Sequence, residues 1–264
     1  MRSPHRARVA AVSLALGISA LFGAQPAQAA GPAYVALGDS YSSGVGAGNY
    51  DSSSGNCKRS NNAYPVLWKN ANAPSSFSFV ACSGAVTDDV LNNQLGALDA
   101  NTGLVSISIG GNDAGFADVM TTCVLLGESS CVSRVDEARS YVRNTLPGKL
   151  DQVYDAIRAK APNAKVVVMG YPRFYKLNGE CWIGLSETSR AAINAAADDL
   201  ADVIANRAAA HGFVFGDVRS TFSGHELCSG DPWLHSVELN VSESYHPTAE
   251  GQSGGYYPVL ENAA

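Results

Sequence analysis

The chain has 264 residues, with 18 basic and 24 acidic side chains and a formal net charge of −6. An acidic chain lacks the basic surface that a nucleic-acid partner requires, which excludes the nucleic-acid-binding classes. The length suits one domain with a complete hydrophobic core.

The first 29 residues have the features of a secretory signal peptide. Three arginines precede an apolar segment at residues 9–22, and the small-residue cleavage motif Ala27-Gln28-Ala29 follows. Cleavage after Ala29, or alternatively after Ala30, would leave 15 basic and 24 acidic residues and a formal charge of −9. No later segment approaches the roughly 20 apolar residues of a spanning helix. We therefore predict a signal peptide at 1–29 and a single secreted, extracellular domain at 30–264.

Six cysteines remain in the predicted mature chain. An even number in an exported protein predicts three disulfides, and sequence alone leaves about 15 ways to pair them. Sequential pairing is the simplest arrangement. No pair has Cys-x-x-Cys spacing, so neither a zinc site nor any other metal or cofactor is predicted. The cysteines, in sequential pairs, are Cys57 and Cys82, Cys123 and Cys131, and Cys181 and Cys228.

The first predicted strand of the mature chain is the apolar run at residues 34–37, which ends at Gly38. Asp39 and Ser40 follow on a predicted strand-to-helix turn. Ser40 is thereby placed at the carboxyl end of a central strand, where open α/β sheets bind their ligands. On this segment alone, a simple helix-capping role for Asp39 or Ser40 explains the pattern equally well.

Strands and helices alternate along the rest of the chain. This alternation predicts parallel strands joined by right-handed crossovers, in a three-layer α/β sandwich. The segment 44–48 is glycine-rich but leads into more loop, so no dinucleotide site is predicted there. After a loop at 44–62, the pattern predicts helices at 63–69, 88–98, 133–160 (interrupted at Pro147) and 187–211, strands at 77–81, 104–109, 165–170 and 213–216, and a short terminal helix.

Small polar clusters follow three of these strands, at Ser40, Gly84 and Asn112. In a parallel sheet these strand ends lie along one edge, so the clusters are expected to share a cleft. Acyl transfer needs a hydroxyl nucleophile and donors for the developing oxyanion. Ser40 would be the nucleophile. Its own N–H, the Gly84 N–H and the Asn112 side-chain amide would be the donors.

The base that acyl transfer also needs is expected among the histidines of the mature chain. His211 ends a predicted helix, where a favourable dipole contact explains it. His225 and His235 lie in a loop near a cysteine and are expected to be structural. His246 follows the last strand and is the best candidate by position, although a surface loop histidine without function would look the same.

Four sequence blocks resemble the GDSL, or SGNH, hydrolases in order and approximate spacing: Gly38-Asp39-Ser40-Tyr41, Gly84, Gly110-Gly111-Asn112-Asp113 and His246-Pro247. The resemblance covers nearly the whole mature chain. Within this family, the chain is similar to the secreted actinobacterial lipases and esterases. It implies a flavodoxin-like fold with a five-stranded parallel sheet. It also implies that Ser40 is the nucleophile, that Gly84 and Asn112 complete the oxyanion hole, and that His246 is the general base.

Two positions depart from the family pattern. Tyr41 stands where a leucine is usual after the nucleophile, a change expected to alter packing more than chemistry. Glu243 occupies the position of the family's acidic partner, three residues before His246. In similar secreted members a main-chain carbonyl two residues before the histidine takes that role, which here belongs to Ser244. Both partners stay open, and we favour the carbonyl.

The resemblance implies a secreted carboxylic-ester hydrolase, a lipase, esterase or phospholipase, that acts on lipids through an acyl-enzyme on Ser40. It would work as a monomer, with at most transient contact with lipid interfaces. Apolar residues in the loops 44–62, 114–132 and 171–186 are candidates to line an acyl groove. The alternatives are a secreted carbohydrate acetyl esterase and a non-catalytic binding module on the same fold.

Overall fold

The computed structural model describes residues 31–181, 183–239 and 241–264. The predicted signal peptide and both of its cleavage positions lie outside the described residues. The strands are β1 (Ala33–Gly38), β2 (Phe77–Phe79), β3 (Thr102–Ser108), β4 (Lys165–Met169) and β5 (Val214–Gly216). The helices are α1 (Ser40–Ser43), α2 (Tyr64–Asn72), α3 (Thr87–Asp89), α4 (Phe116–Asn144), α5 (Leu146–Lys160), α6 (Glu187–Ala210) and α7 (Tyr257–Ala263).

The five strands form one parallel sheet in the order β2-β1-β3-β4-β5. From β1 the chain first moves outward to β2 and then returns across β1 to β3. The strand order therefore reverses between β1 and β3, whose ends are paired in register at Gly38 and Ser108. Open α/β sheets bind ligands outside the carboxyl ends of the strands at such a reversal.

Two groups of helices cover the sheet. Helices α2 and α7 pack against each other, and α4, α5 and α6 pack together as a second group. The central strands are apolar on both sides because both faces are covered, and Ile107, Val167 and Val168 are fully buried. The predicted three-layer α/β/α sandwich with a five-stranded parallel sheet is confirmed.

The largest departure from the predicted elements lies in the segment 114–132, expected as a loop. Helix α4 begins at Phe116 and not at residue 133. Gly127, with φ 79° and ψ 176°, interrupts it, and the Cys123–Cys131 disulfide spans the interruption. Apolar side chains exposed on both sides of Leu125 disrupt the helical periodicity here, which is why the sequence pattern failed.

A second departure concerns the predicted helix at 88–98. The chain there forms α3, a π-helical turn at Val90–Gln94 and a 3-10 turn at Leu95–Ala97. Buried Gln94 is held by β1, because its amide accepts from the Gly38 N–H at 2.7 Å and donates to the Gly38 carbonyl at 2.8 Å. These tertiary contacts replace a regular helix. Short helical turns also occur at Ser52–Cys57, Val241–Glu243 and Gly251–Tyr256.

The three disulfides follow the sequential pairing, Cys57–Cys82, Cys123–Cys131 and Cys181–Cys228. The first ties the loop 44–62 to the segment after β2. The third joins the loop before α6 to the loop after β5. The second lies within α4, so none of the three involves a strand of the sheet. Over the described part of the chain, every helix is too short or too polar to cross a bilayer.

Candidate active site

Ser40 is the first residue of α1, directly after the sharp turn that ends β1. Gly38 has φ 122°, and a Cβ there would lie 2.5 Å from the Ser108 carbonyl oxygen, so only glycine fits. Asp39 caps the helix, since its Oδ1 accepts from the Tyr41 N–H at 3.0 Å. The capping role therefore belongs to Asp39, and the Ser40 hydroxyl is left for another partner.

That partner is His246. Its Nε2 lies 2.7 Å from Ser40 Oγ, and its Nδ1 lies 3.0 Å from the Ser244 carbonyl oxygen. Burial lowers the pKa of His246 to about 4, against the opposing effect of the Ser244 carbonyl. The imidazole is neutral at pH 7, so Nδ1–H donates to Ser244 and Nε2 is free to accept the Ser40 proton.

The carboxylate of Glu243 is hydrogen-bonded to a residue other than His246. Its Oε1 accepts from the Tyr50 hydroxyl at 3.0 Å, and that hydroxyl in turn accepts from the Gly46 N–H at 2.9 Å. The Glu243 side chain thereby joins the segment before His246 to the loop 44–62. Of the two candidate partners for Nδ1, the geometry places the Ser244 carbonyl within hydrogen-bond distance.

Gly84 and Asn112 border the groove in which Ser40 and His246 lie. Gly84 has φ 80°, and no atom lies within 4 Å of the point where a Cβ would stand, so its backbone is open to the groove. The Asn112 amide donates one hydrogen to the Ala85 carbonyl at 3.0 Å. This bond orients the amide and leaves its second hydrogen for a ligand.

A buried hydrogen-bond network joins the nucleophile turn to the Asn112 turn. Asp39 is 1% exposed and accepts from the Ser108 hydroxyl at 2.7 Å and from the Tyr171 hydroxyl at 2.5 Å. The Tyr171 hydroxyl accepts from the Gly111 N–H at 3.3 Å. Burial raises the pKa of Asp39 to about 6, with the bonds from Ser108 and Tyr171 acting in the opposite direction.

Sequence reasoning missed two tyrosines of this site. Tyr171 follows β4 at the same sheet edge as Ser40, which was the signal that could have drawn attention to it. Tyr41 was expected to alter packing more than chemistry. Its hydroxyl donates to the Tyr245 carbonyl at 2.7 Å, and its ring lies 5.2 Å from the imidazole of His246. Tyr41 therefore also connects the nucleophile helix to the histidine segment.

Two cavities meet at Ser40. A surface groove of about 410 Å³ contains Ser40 and His246 and is lined by apolar residues such as Phe116 and Met120. A smaller pocket of about 70 Å³ runs between α4 and α6. The segments 114–132 and 171–186 contribute to these walls as expected. The loop 44–62 contributes none of the lining residues of either cavity. It contacts the segment before His246 through the Tyr50–Glu243 hydrogen bond.

The other histidines have separate partners. His211 contacts Asp151 at 2.9 Å at the end of α6, and His225 stacks on Trp233 with the ring centroids 3.5 Å apart. His235 Nε2 lies 2.8 Å from the Gly46 carbonyl. In the described ranges, no group of three or more His, Cys, Asp or Glu side chains is arranged to hold a metal ion.

The chain matches known proteins in both sequence and fold. The sequence profile of the GDSL-like lipase/acylhydrolase family matches residues 36–253. Lipase 1 of Streptomyces coelicolor is 71% identical over 251 residues, which cover 93% of each chain. An extracellular lipase of Streptomyces rimosus has the same fold, with a TM-score of 0.87 and 67% identity over 88% of this chain and all of its own.

A phospholipase A1 of Streptomyces albidoflavus is equally similar in structure. Its TM-score is 0.87 and its identity is 65%, over 89% of this chain and all of its own. The profile match begins within β1 and includes Ser40, Gly84, Asn112 and His246, so it covers the whole site. The chain belongs to the GDSL-like lipase/acylhydrolase family.

Proposed function

We propose that this protein is an exported carboxylic-ester hydrolase that cleaves acyl esters of lipids, phospholipids among them, through an acyl-enzyme on Ser40. The observation that carries the proposal is the 2.7 Å contact between Ser40 Oγ and the Nε2 of a neutral His246. Family membership supports ester hydrolysis. The apolar groove at Ser40 and the lipase and phospholipase names of the relatives support lipid esters as substrates.

In the first half-reaction, Ser40 Oγ attacks the ester carbonyl carbon while its proton passes to His246 Nε2. The carbonyl oxygen becomes an oxyanion that the Ser40 N–H, the Gly84 N–H and the Asn112 amide would stabilise. The Ser244 carbonyl holds Nδ1–H and fixes the tautomer. When the tetrahedral intermediate collapses, the imidazolium returns the proton to the leaving alkoxide, and the alcohol departs.

In the second half-reaction, a water molecule gives a proton to Nε2 and adds to the acyl carbon. Collapse of this second intermediate breaks the bond to Ser40 Oγ, which takes the proton back from the imidazolium. The products are a free fatty acid and the regenerated enzyme. A carbonyl in place of a carboxylate beside Nδ1 orients the imidazole without adding a buried negative charge.

The setting of the proposed enzyme follows from the chain outside the site. A cleaved leader at 1–29 would export a single domain at 30–264, and three disulfides suit an oxidising compartment. All of the groups in the proposed mechanism come from one chain. The enzyme is therefore proposed to act outside the cell as a monomer and without a cofactor.

Labelling with a fluorophosphonate reagent tests the catalytic assignment. One reagent should attach per chain, at Ser40, because only an activated serine reacts. Ser40→Ala should abolish labelling and lower kcat by about 10⁶ with the fold intact. A Ser40→Ala variant that keeps a tenth of the activity would contradict the proposal. A panel of ester substrates, with phosphatidylcholine and an acetylated sugar included, tests the substrate class.

A further inference from the structure

Large aliphatic side chains are exposed at nine positions in the part of the chain that the structure describes, and they are unevenly distributed. Six of them lie on two segments that flank the groove of Ser40 and His246. Soluble proteins rarely expose a contiguous apolar patch unless it contacts something. We call these six side chains the apolar rim: Val124, Leu125, Leu126, Val237, Leu239 and Val241.

The first half of the rim is the tip of a constrained protrusion. Val124, Leu125 and Leu126 are consecutive, and Leu125 and Leu126 are 71% and 64% exposed. The helix is interrupted directly after them at Gly127, and the Cys123–Cys131 disulfide closes the protrusion. The disulfide holds three apolar side chains in solvent next to the groove, a cost in hydration that folding alone does not explain.

The second half of the rim lies on the segment before His246. Val237, Leu239 and Val241 alternate with polar residues, and Leu239 is fully exposed. The segment is anchored at two points, because the Glu238 N–H donates to Ser244 Oγ at 2.9 Å and the Glu243 carboxylate accepts from Tyr50. Val237 and Val241 nevertheless remain 56% and 75% exposed.

We infer that the apolar rim docks the enzyme onto the surface of zwitterionic phospholipid, so that ester groups pass from the lipid layer directly into the groove. This inference rests on the proposed function. Four rim residues, Val124, Leu125, Val237 and Val241, also line the groove that holds Ser40 and His246. A protein partner seated on the rim would cover the groove mouth, whereas a lipid surface delivers substrate through it.

The charge around the rim decides the kind of lipid. Glu128 and Glu238 are exposed beside the two halves, the cation Lys58 donates to Ser242 Oγ next to Val241, and the whole chain is acidic. Polybasic segments are what draw proteins to anionic membranes, and the rim has none. Its binding is driven by burial of apolar surface, as for amphipathic segments that lie in the headgroup region. A zwitterionic surface therefore fits better than an anionic one.

Leu126 and Leu239 allow a clean test, because neither lines the groove. The binding assay uses full-length mature protein carrying Ser40→Ala, so that lipid is not consumed, and phosphatidylcholine vesicles in a flotation experiment. Leu126→Ser together with Leu239→Ser should lower the vesicle partition coefficient by roughly tenfold for each leucine. Val214→Ser, an exposed site at the start of β5, is the matched control and should change nothing.

The same double variant with Ser40 intact separates docking from catalysis. Its kcat/KM on a soluble short-chain ester should stay within about twofold of the wild type, while vesicle hydrolysis falls with the partition coefficient. If the wild type hydrolyses neither substrate, the proposed function fails. If it hydrolyses the soluble ester but the double variant still partitions like the wild type, the docking inference alone is overturned.

Two further outcomes would also overturn it. The partition coefficient should not rise when phosphatidylglycerol is added to the vesicles. A tenfold increase would show that charge drives binding. Sedimentation velocity should give the same mass for the wild type and the double variant. A wild-type dimer that the double variant dissociates, with unchanged vesicle binding, would assign the rim to a second copy of the chain.

Discussion

The two halves of the candidate site are held by different forces. The nucleophile turn, residues 38–43, is buried between β1 and β3 and is fixed by strand pairing and by the Asp39 network. The histidine segment, residues 235–246, carries an exposed tip. It is held by backbone hydrogen bonds from His235 to Tyr245 and His246, and by side chains of other loops, such as Tyr50.

The difference separates stability from catalysis. Changes in the nucleophile turn remove buried hydrogen bonds and should lower the free energy of unfolding, since an unsatisfied buried group carries its full desolvation cost. Changes in the histidine segment should alter kcat with little effect on unfolding, because loops contribute less to global stability than the sheet does. Variants on each side can break or sharpen this contrast.

The largest expected effect belongs to His246→Ala. Loss of the base should lower kcat by about 10⁶, as loss of a triad member does in a serine protease. Because the residue lies in a loop, the melting temperature should stay within a few degrees. Steady-state kinetics and calorimetry measure the two quantities. A variant with normal kinetics, or one that loses activity only because it unfolds, would break the contrast.

Asn112→Ala is next. Removing one oxyanion donor costs about 10²–10³ in kcat with little change in KM. Asn92→Ala is the matched control, since the Asn92 amide makes only an exposed bond to the Asp88 carbonyl among the described contacts and should leave kcat unchanged. Equal effects of the two substitutions on kcat would contradict a role for the Asn112 amide in the transition state.

How much of this could be predicted from the sequence depends on the kind of contact. The strand runs and the polar residues after them placed Ser40 and Asn112 at one sheet edge, because strand direction alone brings them together. Glycine and proline residues next to apolar runs indicated where β3 and β4 begin or end. Backbone periodicity therefore predicted the fold and the polar residues at the strand ends.

Side-chain partners over long distances could not be predicted in this way. Tyr171 and Tyr41 look like ordinary core aromatics, and nothing local indicates which acceptor each hydroxyl finds. The first part of α4, within the segment 114–132, was missed because exposed leucines break the periodic pattern that identifies a helix.

Tyr171→Phe tests the buried half directly. It removes the O–H that donates to the Asp39 carboxylate, so at pH 8 the free energy of unfolding should fall by about 1.5–3 kcal/mol. Tyr154→Phe is the control: its hydroxyl is buried and has no hydrogen-bond partner among the described residues, so that change should be close to neutral. Urea unfolding measures both, and equal losses would show that the Tyr171 bond is not special.

The two halves of the site should affect the pH dependence of the unfolding free energy with opposite signs. Folded His246 has a pKa of about 4 against about 6.5 unfolded, so kcat/KM should be flat above pH 5 and fall tenfold per unit below about pH 4. A limb centred near 6.5 would contradict burial of the imidazole. In the same window the unfolded chain binds the extra proton, so the contribution of His246 to stability is lost as pH falls from 6.5 to 4.

Asp39 acts in the opposite direction. Its folded pKa of about 6 exceeds the unfolded value of about 3.9, so the folded chain binds more protons between these values and the contribution of Asp39 is lost as pH rises through 6. The two slopes partly cancel in the wild type. His246→Gln removes one of them, and its unfolding free energy should therefore decrease more steeply from pH 4 to pH 6 than that of the wild type.

The smallest effect is expected for Glu243→Ala. The Glu243 carboxylate accepts from Tyr50 and the Ser244 carbonyl lies at Nδ1 of His246, so the substitution removes a contact between loops and leaves the tautomer unchanged. Activity should fall by less than roughly tenfold, or about 1.4 kcal/mol of barrier. Tyr50→Phe removes the same bond from the other side, together with the acceptor of the Gly46 N–H, and should also lower activity by less than roughly tenfold. In a serine protease, replacing the aspartate that orients the histidine lowers kcat by about 10⁴. A thousandfold loss for Glu243→Ala with unchanged thermal stability, beside a normal Tyr50→Phe variant, would therefore make Glu243 the group that orients the imidazole.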